Sequence, residues 1–226
     1  MDKLLKKLIP SRMKQQLKDE FRAQMKIDNN ISSKRMPSFE FEQKHIANTR
    51  PLLTRKDLLE MMPKNAVVAE IGVDKGDFSR MIMDICSPSK LHLVDIWGDA
   101  RYNQEKRRGV ESMFASEITS GQVEINLGLS TDVVTQYADD YFDWIYIDTD
   151  HSYKTTYAEL CAYAPKVKPG GIIAGHDYIV ANWDGLVRYG VVEAVYQFCV
   201  EQNWELIHVT MENHGQRFPS FALKKI

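Results

Sequence analysis

Val67-Val68-Ala69-Glu70-Ile71-Gly72-Val73-Asp74-Lys75-Gly76-Asp77-Phe78-Ser79 decides the fold. It begins as a β-branched apolar run, the mark of a buried strand, and breaks at Gly72. Gly76 follows, and Phe78-Ser79-Arg80-Met81-Ile82 then resumes with helical spacing. Strand, glycine turn, helix is the opening unit of a nucleotide-binding α/β sheet. The glycines let backbone approach a ligand where a Cβ would collide. The N–H groups that open the next helix can hold an anion such as a carboxylate.

The spacing is Gly-x-x-x-Gly, not the Gly-x-Gly-x-x-Gly of dinucleotide binders, and Glu70 precedes the first glycine by two residues. A carboxylate there repels a pyrophosphate and suits a ligand with cationic groups. S-adenosylmethionine is such a ligand, with a positive sulfonium and amino group and a carboxylate for the helix start. Glu-x-Gly-x-x-x-Gly resembles the first motif of class I S-adenosylmethionine-dependent methyltransferases. That resemblance implies cofactor contacts from Glu70, Gly72, Val73, Gly76 and Ser79. An ordinary tight strand–helix turn is the plainer alternative.

The whole chain sets the bounds. At 226 residues it accommodates one α/β domain plus an extension. Hydrophobic content of 44% and charge of 27% are those of a soluble globular protein. A net charge of −2 gives no global field to recruit nucleic acid. Cys86, Cys161 and Cys199 are an odd set without Cys-x-x-Cys spacing, which excludes a zinc ribbon and argues for a reducing compartment. No apolar run reaches the roughly 18 residues of a membrane span, and the start lacks the apolar core of a signal peptide. The expected location is the cytoplasm.

Residues 1–50 are read as an N-terminal extension and 51–226 as the catalytic domain. In the first block Leu4, Leu5, Leu8, Ile9, Met13, Leu17, Phe21 and Met25 recur at three- and four-residue steps, a helical stripe that Pro10 breaks. Eight Lys/Arg against Asp2, Asp19 and Glu20 give residues 1–26 a charge of +5. Such a helix packs on its own domain, joins a second subunit in a homo-oligomer, or lies on an anionic membrane surface. Residues 28–50 read as a linker, then a polar segment that either connects or covers the mouth of the site. A helix follows from Leu52 to Met62.

Beyond the first unit, Lys90-Leu91-His92-Leu93-Val94-Asp95 is a second strand ending in an acid, 23 residues after Gly72. That is close to the roughly 20 expected of an acid that reads ribose hydroxyls, and a carboxylate accepts from two vicinal hydroxyls at once. Ile96 and Trp97 follow as candidates to flank the adenine, with ordinary packing the alternative role of Trp97. Residues 98–120 read as polar helix and Gln122–Leu127 as a third strand. In the resembling family the following loop touches the adenine amino group, which makes Ser130 a candidate. A helix N-cap is its alternative role.

The fourth strand, Phe142-Asp143-Trp144-Ile145-Tyr146-Ile147, runs into Asp148-Thr149-Asp150-His151-Ser152-Tyr153. The fifth, Ile172-Ile173-Ala174, ends in Gly175-His176-Asp177-Tyr178. So many polar groups at the ends of buried strands are expensive unless they do chemistry. Ile-Asp-x-Asp-His-x-Tyr and Gly-Gly-Ile-Ile-Ala-Gly-His-Asp-Tyr resemble the macrocin and aminocoumarin type of sugar O-methyltransferase, and more distantly the catechol type. A helix from Gly190 to Phe198 and two strands, Trp204–Thr210 and Ser220–Lys224, close the chain. They imply a mostly parallel seven-stranded Rossmann-like sheet with a C-terminal antiparallel hairpin and helices on both faces.

Two schemes fit the strand ends. In one, Asp148 and Asp177, with His176 as a third ligand, hold Mg²⁺ or Mn²⁺, and the ion makes a substrate hydroxyl more acidic. A histidine ligand suits Mn²⁺ better than Mg²⁺; His176 standing behind the ligands, or acting as the base itself, are its alternative roles. In the other, His151 removes the proton as general base with Asp148 beside it. The expected reaction is methylation of a hydroxyl on a small molecule, a sugar or glycosylated metabolite. The alternatives are an N-methyltransferase, or a scaffold that binds S-adenosylmethionine or tethers to a membrane without turnover.

Overall fold

The computed structural model describes residues 10–182, 187–212 and 218–226. They fall into two units, Met1–Pro37 and Ser38–Ile226. The first contains a single described helix, α1 (Ser11–Arg35), entered at Pro10 and without a buried residue. It continues through the Asp28–Arg35 stretch that reads as linker, because nothing between Asp28 and Arg35 is a glycine or proline to stop it. Met36-Pro37 ends it, the residue before a proline being pushed out of the helical region. The Leu4–Ile9 part of the expected stripe lies outside the described residues.

The second unit is an α/β sandwich around one eight-stranded sheet. The strands are β1 (Arg50–Leu52), β2 (Val67–Ile71), β3 (Lys90–Asp95), β4 (Val123–Leu127), β5 (Phe142–Ile147), β6 (Val167–Gly175), β9 (Trp204–Thr210) and β10 (Phe221–Lys225), in the order β1-β9-β10-β6-β5-β2-β3-β4. A two-stranded ribbon, β7 (Ala181–Asn182) with β8 (Val187–Arg188), stands apart from it. Seven strands match expectation, with β10 antiparallel to both β6 and β9. The eighth is β1, parallel to β9 and placed at the sheet edge. Pro51 sits there because an edge strand does not need every N–H.

Alternation along the central strands shows why helices cover both faces. Ala69, Ile71, Ile145 and Ile147 enter one hydrophobic cluster, and Val68, Trp144 and Tyr146 enter the other. A parallel sheet buried on both sides needs such two-faced strands. The helices are α2 (Arg55–Met61), α3 (Asp77–Cys86), α4 (Gln104–Met113), α5 (Ala115–Thr119), α6 (Ser130–Val133), α7 (Tyr153–Tyr163) and α8 (Val191–Gln202). Thr54 caps α2 reciprocally with Asp57, so that helix starts three residues later than the apolar pattern suggests. Residues 38–50 belong to the sheet unit itself. Phe41 stacks on Tyr196 with centroids 3.9 Å apart, and the Thr49 hydroxyl donates to the Leu206 carbonyl.

From β2 the chain winds outward to β3 and β4, then returns to β5 beside β2 and continues to β6. That reversal opens a crevice at the carboxyl ends of β2 and β5, the place where open α/β sheets bind ligands.

Candidate active site

A cleft of about 860 Å³ opens at this switch point. Its floor is the turn after β2. Gly72 has φ +90°, and a Cβ there would lie 1.9 Å from the Asp148 carbonyl oxygen. Only glycine permits both that backbone and that approach. The Gly72 N–H donates to Val94 O at 2.8 Å, and the Asp148 N–H donates to Ile71 O at 2.7 Å, so the turn is fastened to both neighbouring strands.

Asp95, at the end of β3, organises the next wall. Its Oδ2 accepts from the N–H groups of Val73 at 2.8 Å and Asp74 at 3.1 Å, and its Oδ1 accepts from Trp97 N–H at 2.9 Å. The carboxylate thus ties the glycine turn to the β3 end. Ile96 is 46% exposed and Leu129 54%, and both line the cleft as apolar surfaces for a flat ring.

Glu70 lines the cleft as well, yet it is only 2% exposed and its Oε2 has no hydrogen-bond partner. Burial pushes its carboxyl well above the ordinary range. An orphaned buried acid beside an opening fits a ligand that brings a cationic amino group, since the charge and the missing hydrogen bond arrive together.

Three residues expected to contact a cofactor do not line the cleft. Trp97 is 1% exposed and donates its indole N–H to Asp74 O at 2.8 Å, so it holds the turn from behind. Ser79 is fully buried beside Glu70. Gly76, with φ +85°, caps α3 and packs toward Val110 and Phe114. The helical period carries Ser79 to the core side of α3, where Phe78 and Ile82 are also buried. The segment 38–50, read as a connector or cover, contributes nothing to the lining.

Ser130 does reach the cleft, but it is no N-cap: α6 has no side-chain cap. Its hydroxyl donates instead to Glu159 Oε1 at 2.5 Å, while the Thr149 hydroxyl donates to Oε2 at 2.7 Å. Burial lifts Glu159 to about 7, against the pull of those two hydrogen bonds. Glu159 was legible as a carboxyl inside the buried stripe Thr156, Glu159, Leu160, Tyr163 of α7.

At the other end of the cleft the β5 and β6 ends converge. His151 Nδ1 lies 3.0 Å from Asp177 Oδ2, and His176 Nδ1 lies 3.5 Å from Asp148 Oδ2 and 3.4 Å from Asp177 Oδ2. His151 and Asp177 both have left-handed backbones, φ 61° and 55°. Such conformations in non-glycine residues cluster where surrounding structure enforces a function. Burial pulls His151 down, but the Asp177 contact and the charges of Asp177 and Asp148 outweigh it and raise the imidazole. His176 follows the same balance, with burial opposed by Asp148 and Asp177, and reaches about 9. Asp177 is held well below its usual value: burial raises it, and the two imidazoles overcome burial.

His176 Nδ1 lies between the Asp148 and Asp177 carboxylates, whose charges favour its protonated form. Among the described residues, the donor atoms that come together are those of Asp148, His151 and Asp177, all within 4.8 Å of one another. Two carboxylates and an imidazole are a donor set that fits Mn²⁺ better than Mg²⁺. Tyr189 and Phe218, which no motif marks, form an aromatic wall here, with Tyr189 4.8 Å from the His151 ring. Arg101 and Lys154 add positive charge to the lining.

Residues 69–178, which carry every element of this cleft from Glu70 to Asp177, match the family model described as a methyltransferase domain. No curated protein matches the chain by sequence. Solved structures share its fold. The pyocyanin biosynthetic protein PhzM aligns at TM-score 0.57 and 8% identity, over 77% of this chain and 55% of its own, so the chain spans about half of that protein. The B. subtilis tRNA methyltransferase TrmK aligns at 0.56 and 14%, over 77% and 67%. A Streptococcus mutans protein solved in complex with SAH aligns at 0.55 and 13%, over 76% and 96%. These likenesses show the fold alone, and what the cleft acts on must be argued from its own residues. No helix among the described residues is long and apolar enough to cross a membrane.

Proposed function

We propose that the protein is an S-adenosylmethionine-dependent O-methyltransferase that acts on a hydroxyl of a small molecule, a sugar or glycosylated metabolite. The observation that carries this reading is the His151–Asp177 contact at 3.0 Å in the cleft that also holds the glycine turn. A base whose Nδ1 is held by a buried carboxylate presents Nε2 to a substrate hydroxyl and is stabilised once protonated.

The cofactor chemistry is transfer of an already activated methyl group from a sulfonium. The chain's part is positioning and proton removal. Glu70 meets the amino group, the turn at Gly72 and Val73 admits the amino-acid end, and Asp95 accepts from the ribose hydroxyls. Ile96 and Leu129 sandwich the adenine and Ser130 edges it. Asp148 and His151 face the acceptor hydroxyl, and Tyr189 and Phe218 shield it from water. Where a divalent cation binds, Asp148 and Asp177 would hold it, with His151 then a ligand in place of its role as base, and it would lower the pKa of that hydroxyl.

The test is calorimetric titration with S-adenosylhomocysteine, followed by methyl transfer from labelled S-adenosylmethionine to glycosides carrying vicinal hydroxyls, with and without EDTA. His151→Asn should keep S-adenosylhomocysteine binding and lose turnover. Absence of S-adenosylhomocysteine binding would overturn the reading. Turnover on an amine at rates that His151→Asn leaves unchanged would favour N-methylation instead.

A further inference from the structure

Glu159 is a buried titratable group that methyl transfer does not use, and its geometry carries a consequence for cofactor choice. It stands on α7, fully buried, and joins two loops that arrive from different strands: Ser130 after β4 and Thr149 after β5. Each carboxylate oxygen takes one hydroxyl proton. A serine or threonine hydroxyl has a single proton and two lone pairs. With both protons committed to Glu159, Ser130 Oγ and Thr149 Oγ1 offer the cleft only lone pairs.

The order of the sheet says what meets them. The strands run β5-β2-β3-β4. A cofactor anchored by its amino group at Glu70 on β2 and by its ribose at Asp95 on β3 extends its base toward the loop after β4. The groups waiting there are the exposed apolar side chains of Ile96 and Leu129, which suit the ring faces, and the Ser130 edge. We propose that Glu159 is a positioning residue that fixes the Ser130 and Thr149 hydroxyls as acceptors and so selects an amino-bearing purine, adenine, against its keto counterpart. The inference rests on the S-adenosylmethionine reading given above. A keto group would aim its own lone pairs at two acceptors, and a site built for a donor penalises an analogue that lacks it.

The experiment compares S-adenosylhomocysteine with S-inosylhomocysteine, the same molecule with the adenine amino group replaced by a carbonyl. Affinities are measured by calorimetry in buffer more alkaline than the value of about 7 to which burial lifts Glu159. The wild-type protein should prefer S-adenosylhomocysteine by roughly ten- to a hundredfold. Glu159→Gln keeps the shape, but its amide N–H donates to one of the two hydroxyl oxygens. That hydroxyl must then turn its proton to the cleft, and the preference should shrink to about threefold. Ser130→Ala and Thr149→Val remove one acceptor each and should shrink it independently, which keeps the test intact if Glu159→Gln fails to fold. A preference unchanged in folded Glu159→Gln and Ser130→Ala, or absent in the wild type, would overturn the assignment. A merely structural role for Glu159 would weaken both ligands equally. Failure of the underlying cofactor reading looks different, since neither ligand would then bind.

Discussion

Replacing Gly72 by alanine tests the closest approach in the molecule. The new Cβ would stand 1.9 Å from the Asp148 carbonyl oxygen and 2.6 Å from its carbon, both backbone atoms that no rotamer change can move. Relief requires the turn to leave its place between the β3 and β5 ends, where the Gly72 N–H to Val94 O and Asp148 N–H to Ile71 O hydrogen bonds hold it. The left-handed backbone adds about 1–2 kcal/mol for any residue with a Cβ, and each hydrogen bond lost adds about 1 kcal/mol. Together these give a destabilisation of about 3–4 kcal/mol, a large share of the roughly 5–15 kcal/mol that holds a domain together. Gly121 supplies the control: its φ is +80°, and a Cβ there meets nothing within 4 Å. Gly121→Ala therefore bears the backbone cost alone, about 1–2 kcal/mol. Urea denaturation gives the difference directly, and thermal melting should show Gly72→Ala lower by roughly 10 °C. If the two variants unfold within about 1 kcal/mol of each other, the argument from close approach is wrong.

Asp177→Asn should cut turnover by about a hundredfold or more while leaving S-adenosylhomocysteine binding near wild type. Because the Asp177 charge raises His151, removing it lowers the imidazole, and the acid limb of the rate profile should move to lower pH; a limb that stays put would separate His151 from the proton transfer. Glu70→Gln should act in opposite directions on two observables. It removes an acid that burial disfavours as an anion, so the unliganded protein should gain stability as pH rises above the ordinary carboxylate range. It also removes the partner of a cationic amino group, and calorimetry should show S-adenosylhomocysteine weakened about tenfold. Glu159 sets a pH window. Its value is about 7 in the folded protein against 4.5 for the free group, so its contribution is complete below 4.5 and lost as pH rises toward 7. That decline, up to about 3 kcal/mol, should vanish from urea denaturation curves of Glu159→Gln and remain in Glu159→Asp.

The cleft-facing side chains follow the same division between chain pattern and chain folding. Asp95 was recognisable because an acid at the end of a second strand lies a fixed distance along the chain from the glycine turn, and chain distance is what a sequence records. Trp97 was not. An aromatic two residues after that acid can face the ligand or the core, and a positive φ of 39° turns it inward, where its indole N–H finds Asp74. Strand signals for β2, β3, β5 and β9 were strong because buried strands of β-branched and aromatic residues have few other uses. The edge strand β1 escaped notice because Arg50-Pro51-Leu52 has no periodicity and pairs only because β9 is already there.

The sequence by itself determined the doubly wound sheet, the switch-point turn at Gly72, and the acids and histidines assembled at the β5 and β6 ends, since each is a local pattern of period and spacing. Only the tertiary structure decided which histidine stands against which carboxylate. His151 and His176 each sit near carboxylates in the chain, and nothing in their spacing distinguishes a base from a counter-ion. Their roles depend on which ring lies 3.0 Å from Asp177 alone and which sits between Asp148 and Asp177. Those distances are set by two loops that meet only when β5 pairs with β6, because a titratable group takes its charge from its neighbours in space.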